Sequence, residues 1–485
     1  MKREVSKRRQ PYVRTAVYSF MTLSVAVIVA LLMLVVLGYS FNEHDGKLEQ
    51  GGLLQFATVP TGATVTLDEA KLGSNTNTKA TVDTGNHSVI YNRIGYREWR
   101  KSIYIQPGQI GWLSYARLIP KDVTPKDVRT FANLTGALAS PRHNYLLLHD
   151  VADQPMFNVA NIQGDTVKYT DVVLPATSYT APVFGKTQSF VADSWSRDEN
   201  AVLIRHTYND NQTEWLWLDR NSPEKSVNIS ATFGVNASRV SFGGGGNRLL
   251  FVQTDDIVRR VNLDDLTLSR PLISKAASFT VYDEKTIVYT TVANDKNQRT
   301  VGYAAVDIAE PQTIATYPAD NQPLFADMGS YFNRRYIAIV HGTQLVVQTG
   351  TVPTPSQKAD LKTYAKQTLP AGVVKLEMSH NSRFAVAQLS DGFATYDIEL
   401  KKFDRTTWSS QPTAPRQLKW LDEYMLWTDY GGTLRFYEFD GANQQNIMPV
   451  TEGFDVSISP NDKYIYGVLK TDKGFELRRA RLILE

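Results

Sequence analysis

Ser459-Pro460-Asn461-Asp462-Lys463-Tyr464-Ile465-Tyr466 is a polar turn that runs straight into a strand of aromatic and β-branched residues. Ser, Pro, Asn and Asp each favour a turn for a separate reason, and Tyr and Ile suit a pleated, half-buried surface. The same unit returns at 140–148 (SPRHNYLLL), 195–204 (WSRDENAVLI), 242–251, 282–289, 332–339, 379–386 (SHNSRFAV) and 420–427. The spacing, about 40 to 56 residues, is the range in which each repeat is one propeller blade. Most units carry a second strand that ends near an acid, as in Trp215-Leu216-Trp217-Leu218-Asp219, Phe393-Ala394-Thr395-Tyr396-Asp397 and Phe436-Tyr437-Glu438-Phe439-Asp440. Two adjacent strands joined by a turn fit the middle of a four-stranded blade, and stacking such blades buries faces that one blade leaves bare.

The pattern predicts a seven- or eight-bladed β-propeller over residues 130–485, with eight favoured. Its turns are similar to those of TolB-type and dipeptidyl-peptidase-type propellers, whose turn reads Ser-Pro-Asp-Gly. The 353–370 stretch, TPSQKADLKTYAKQ between prolines, is expected as an inserted loop or short helix.

Upstream, residues 52–120 form a second unit, set off by the 120–125 linker (PKDVTP). Its short apolar stretches (Leu53 to Phe56, Val65 to Leu67, Ser88 to Tyr91, Ile103 to Ile105, Gly111 to Leu118) alternate in part and are separated by turn formers, which predicts a small antiparallel sandwich. Pro60-Thr61-Gly62-Ala63 followed by Val65 and Leu67, then Gly85-Asn86-His87-Ser88-Val89 and Gly95-Tyr96, resemble the PEGA domain, a bacterial extracytoplasmic β-module. This sequence departs from the pattern with Thr61 in place of Glu, and with no Pro in Gly73-Ser74-Asn75-Thr76. The resemblance implies an envelope module and brings no catalytic residue. His87 and Tyr96 are expected to be structural, one in a turn and one packed.

The N-terminal region decides location. Residues 16–38 (AVYSFMTLSVAVIVALLMLVVLG) carry no charge, and as a helix they extend about 35 Å against a hydrocarbon core of ~30 Å. Residues 1–14 hold six basic residues and one acid. The positive-inside rule therefore predicts a basic cytoplasmic tail at 1–14, a transmembrane helix at 15–41 and everything later outside the cytoplasm. Gly38-Tyr39-Ser40-Phe41-Asn42 offers no small-residue cleavage site, so an uncleaved anchor is expected over a signal peptide. The fold class is thus all-β behind a single N-terminal transmembrane helix.

Beyond the tail the chain has 46 basic and 48 acidic residues, so the formal charge of +3 reflects the tail and is no sign of nucleic-acid binding. The absence of Cys removes disulfides, thiolate metal sites and lipid acylation.

Chemistry is sparse. No nucleophile elbow, His-Glu-x-x-His, phosphate loop or calcium loop occurs, and no catalytic, cofactor-binding or metal residue is assigned. Gly243 to Gly246 reads as a blade turn. The histidines (44, 87, 143, 149, 206, 341, 380) are scattered, and Asp193, Asp198, Asp255 and Asp256 read as solvated acids. Trp195, Trp215, Trp217, Trp408, Trp420 and Trp427 are expected to pack between blades, with a lesser share lining a funnel that could hold a glycan or a peptide.

The expected function is a non-catalytic, membrane-anchored interaction protein of the bacterial cell envelope. Its partners would be the bilayer through 15–41 and an envelope protein or a wall or surface glycan. The alternatives are a prolyl-oligopeptidase-type enzyme, disfavoured because the chain ends with its last blade, and a glycosidase-like or peptidase-like enzyme with its site in the axial channel. Carboxylates gathered in that channel would favour the last; a lining of Ser, Thr and apolar groups would oppose it.

Overall fold

The computed structural model describes residues 10–36, 38–42, 47–352, 360–370, 372–408 and 418–484, which divide into two compact units, Met1–Lys121 and Asp122–Glu485. The first unit opens with a helix, Gln10–Val36, long and apolar enough over Tyr12–Val36 to cross a membrane. It ends earlier than the expected 41. Gly38, at φ +79°, donates its N–H to the Val35 carbonyl, a left-handed stop that favours glycine. Tyr39–Asn42 then pairs antiparallel with Lys47–Gln50.

The sandwich stacks a three-stranded sheet, Thr78–Val82, Gly52–Val59 and Ile110–Arg117, on a four-stranded sheet, Ala70–Asn75, Thr64–Leu67, Gly85–Asn92 and Trp99–Ile105. One pairing, Gly52–Val59 with Ile110–Arg117, is parallel, so the expected wholly antiparallel sandwich is corrected. Leu54, Phe56, Val65, Val89, Tyr91 and Trp99 fill the core, with Tyr91 stacked on Trp99 at 4.6 Å between ring centroids. Val65 is fully buried, whereas Leu67 is only half-buried at the strand end. Gly62 takes φ +85° as the turn before Val65 requires.

Among the described residues the second unit is eight four-stranded antiparallel sheets in chain order. Blades 1 to 7 span 136–173, 188–228, 239–268, 276–318, 324–368, 373–407 and 418–449. Blade 8 takes its inner three strands from 457–481 and its outermost strand, Pro125–Phe131, from the start of the unit. Apolar clusters join neighbours around the circle: blade 1 with 2, 2 with 3, 3 with 4, 4 with 5, and 5 with 6. Phe384 stacks on Phe439 between blades 6 and 7. Met448 and Val450 of blade 7 approach Gly467 of blade 8, and Leu146 and Leu148 of blade 1 meet Tyr466 and Leu477 of blade 8. The ring is closed, with eight blades.

Each quoted turn leads into the second strand of its blade. These strands read as unbroken apolar runs because both faces are covered. In Ala201–Tyr208, Ala201 and Leu203 face blade 3 while Val202 and Ile204 face blade 1. The turn has a common wiring. Ser196, Ser379 and Ser459 accept the N–H five residues on at 2.9, 3.0 and 2.9 Å. Their hydroxyls donate to Asp198, Asn381 and Asn461. In blade 1 that last position is Arg142, and Ser140 donates instead to Glu199 of blade 2 at 2.6 Å. The acid closing the third strand accepts the next turn's amides, Asp219 from Asn221 and Ser222, and Asp397 from Glu399 and Leu400.

The expected loop or helix at 353–370 is corrected in part: Asp360–Thr368 is the outer strand of blade 5, and 353–359 lie outside the described residues.

Candidate functional site in the axial channel

The first strand of each blade is innermost, so its exposed side chains face the ring axis. Trp195 of blade 2, Lys375 and His380 of blade 6, Lys419 and Trp420 of blade 7 and Asp455 before blade 8 line one cavity of about 280 Å³. Blades 2 and 6 are not neighbours, so this space lies on the axis. A second cavity of about 280 Å³ shares Leu138, Asp193, Lys419 and Asp455 with it. A third, about 360 Å³, adds Arg239 and Ser241 of blade 3 to Asp193 and Trp195. Together they form a channel with ionisable walls.

Most of that charge is already partnered. Lys419 Nζ lies 2.6 Å from Asp455 Oδ1, while Asp455 Oδ2 accepts the Ala139 amide. Glu377 is paired with Lys375 on the same strand. Asp327, in the inner strand of blade 5, accepts the Met328 and Met378 amides at 2.9 and 2.7 Å and so ties blade 5 to blade 6. Burial pushes its carboxyl up to about 7 despite those two amides, with Glu377 adding to the rise and Lys375 opposing it.

Asp193 and Arg239 differ. Among the described residues neither makes a hydrogen bond or a direct ion pair, and the Arg239 guanidinium lies 4.8 Å from the Phe279 ring centre. Burial within the channel works against its charge, and Asp193 supports it. Arg239 and Asp193 thus line one cavity with Trp195.

His143 occupies one end. Its Nδ1 is 3.2 Å from Ser457 Oγ, so a blade 1 turn reaches blade 8. Burial pushes the imidazole below its ordinary range, and His380 adds to this. The Leu421 carbonyl and the charges of Asp422 and Glu199 work the other way.

His149 borders the second cavity, buried on Phe157 and bonded to the Gln154 carbonyl, with partners unlike those of His143. The other predicted residues lie elsewhere. His206 is buried in blade 2 against Glu214 at 2.8 Å. Burial opposes ionisation of Glu214, but bonds from His206, Thr180 and Asn228 bring its carboxyl down to about 2. His87 is not a turn residue: it lies in Gly85–Asn92 and bonds Asp68 at 2.6 Å. Tyr96 is buried as expected. His341 bonds Asp320, and His44 lies outside the described residues.

Asp198 serves its own turn and Asn247 of blade 3, and Asp255 sits in the turn between the middle strands of blade 3. Of the expected acids, only Asp193 reaches the channel. Gly245 packs so tightly on Glu284 that a Cβ would overlap it, which makes the Gly243 to Gly246 run a contact between blade turns. The six tryptophans are all buried. Trp195 donates to the Leu138 carbonyl of blade 1, and Trp217 to the Asn247 carbonyl before the second strand of blade 3. No cluster of three metal-ligating side chains occurs among the described residues.

The sandwich geometry, with its Pro60–Gly62 turn and its Tyr91 and Trp99 core, accompanies a direct sequence match. Residues 52–118 form a PEGA domain. No curated protein is similar enough to count as a relative. Among solved structures, an oligogalacturonate lyase in complex with manganese shares 13% identity over 69% of this chain and 99% of its own, with a TM-score of 0.42. A prolyl endopeptidase shares 10% over 73% of this chain and 56% of its own, TM-score 0.46. Hsv2 of Kluyveromyces lactis shares 9% over 72% and 97%, TM-score 0.38. The expectation of a non-enzyme is corrected to this extent: enzymes stand among the proteins that this chain is similar to.

Proposed function

We propose that this chain is a single-pass protein of the bacterial cell envelope, with the basic tail in the cytoplasm, the Gln10–Val36 helix kept as an anchor, and the PEGA domain and propeller outside. The propeller binds an envelope protein segment or a wall or surface glycan in its axial channel. The observation that carries this reading is that Asp193 and Arg239, which make no hydrogen bond or direct ion pair among the described residues, line one cavity with Trp195. Open donors, an open acceptor and an indole suit a polyhydroxylated ring or a peptide end, and the cavities of about 280 to 360 Å³ are sized for short units of either.

Binding of the full-length chain to peptidoglycan fragments, surface oligosaccharides and short peptides tests it. Arg239→Ala and Asp193→Ala are each expected to weaken the ligand that binds by roughly tenfold, the effect of losing one charge-assisted hydrogen bond, with unfolding unchanged. Equal binding by both variants would place the ligand elsewhere. A second reading, chemistry on the bound ligand, is favoured by Asp193, Glu377 and Asp455 around one axial space with His143. Turnover of a peptide or glycoside that stops in Asp193→Asn would select it.

A further inference from the structure

A run of uncharged residues links the last two strands of the PEGA domain: Ser102 to Ser114, SIYIQPGQIGWLS. Its middle is the turn 106–109, with the Gln109 N–H bonded to the Gln106 carbonyl. Two backbone bonds fix where that turn sits. The Gly108 N–H donates to the Gly51 carbonyl, and the Gly51 N–H donates to the carbonyl of Gly38, both at 2.9 Å. Gly38 is the residue that stops the apolar helix. The turn is therefore clasped, through a single residue, to the point where the helix ends.

On the reading that this helix spans a bilayer, its end lies at the lipid headgroups. Tyr12–Val36 contains 25 residues, which is about 37 Å of helix against a hydrocarbon core of ~30 Å. Three large side chains stand exposed around the clasped turn: Tyr104, Ile110 and Trp112, at 56, 47 and 46%. Tyr104 lies on the outer face of one sheet, and Ile110 and Trp112 on the outer face of the other, where they oppose Leu53 and Gln55. Among the described residues of the first unit nothing covers them. Tyrosine and tryptophan with neutral amides are the composition of the membrane–water interface, where an apolar ring and a polar tip are both satisfied.

We infer that the 106–109 turn, with Tyr104, Ile110 and Trp112, is embedded in the lipid headgroup layer, so that the PEGA domain rests on the membrane and is not a stalk held away from it.

The cysteine-free chain allows single labelling sites. Full-length protein in phosphatidylcholine vesicles, with a nitrobenzoxadiazole label at Trp112→Cys, Gln106→Cys, Ile94→Cys or Val25→Cys, is exposed to nitroxide lipids carrying the quencher on the headgroup or deep in the acyl chain. Ile94, 97% exposed, lies just past the far end of Gly85–Asn92 and reports the opposite pole. Headgroup nitroxide is expected to quench positions 112 and 106 several-fold more than 94, with 25 quenched by the deep probe. Gln106 is an exposed turn residue, so its variant reports even if the domain does not tolerate Trp112→Cys. Positions 106 and 112 quenched no more than 94, with 25 still quenched, would overturn the inference and leave the anchor intact. An unquenched 25 would overturn the membrane-spanning reading and this inference with it.

Discussion

Asp327 shows how one residue can set a pH dependence for the whole ring. Burial pushes its carboxyl from the ordinary 3.8 up to about 7 in the folded chain, so the folded state holds the proton more tightly than the unfolded. That stabilisation is complete below about pH 4 and is lost as pH rises through 7, on the order of 4 kcal/mol in all. Asp327→Asn, which cannot ionise, is expected to flatten the stability curve between pH 4.5 and 8 and to exceed the parent at pH 8; chemical denaturation at the two pH values checks this. A second single-residue effect lies in the repeated turn. His143, Glu199, Ser382 and Asp462, three positions after the turn serine, all have φ near +60°, where an L side chain costs roughly 1–2 kcal/mol. The Ser-Pro-Asp-Gly turns that these resemble carry Gly there. Ser382→Gly is expected to raise the thermal midpoint, by a net of about 0.5–1 kcal/mol once the greater freedom of unfolded glycine is subtracted.

At the scale of the element, the second and third strands of each blade were legible because their signals are local. The turn serine, the Asn or Asp two residues on and the strand-closing Asp each satisfy backbone amides at fixed offsets, so position in the sequence stands for position in space. The fourth strands were not legible. Asp360–Thr368 faces solvent along much of its length and mixes Lys, Thr and Gln with a few apolar residues, so neither period stands out. The channel was hidden for another reason. Its inner strands are as short as Leu418–Trp420 and Ser457–Ile458, and no local pattern brings Arg239 to Asp193; only blade adjacency does. Element coupling can be tested at Arg383, which joins the second strand of blade 6 to the third through Asp397 at 2.7 Å and also reaches Glu399 at 2.6 Å. Asp397 is 2% exposed. Arg383→Ala leaves that carboxylate buried without its cation and is expected to cost about 3–5 kcal/mol, read from the urea midpoint.

The molecule as a whole depends on closing a circle. Pro125–Phe131 pairs with Gly474–Arg481, so the first and last segments of the propeller share one sheet, and blade 8 has no outer strand without the start of the unit. Phe131, 4% exposed, packs with blade 1 and blade 8 residues. Phe131→Ala is expected to cost about 3–5 kcal/mol and, because the ring closes there, to lower one cooperative melting transition rather than create a separate early one. A closed ring also gives the channel its character, since residues from blades far apart in sequence converge only on the axis. The most direct test of that axis as the binding site is site-specific photo-crosslinking in intact envelopes. A crosslinking residue replaces either Ser194, on the channel wall, or Phe184, fully exposed outside it. The account predicts a discrete adduct from position 194 that is lost on adding Arg239→Ala, and none from 184. Adducts from 184 with none from 194 would contradict it.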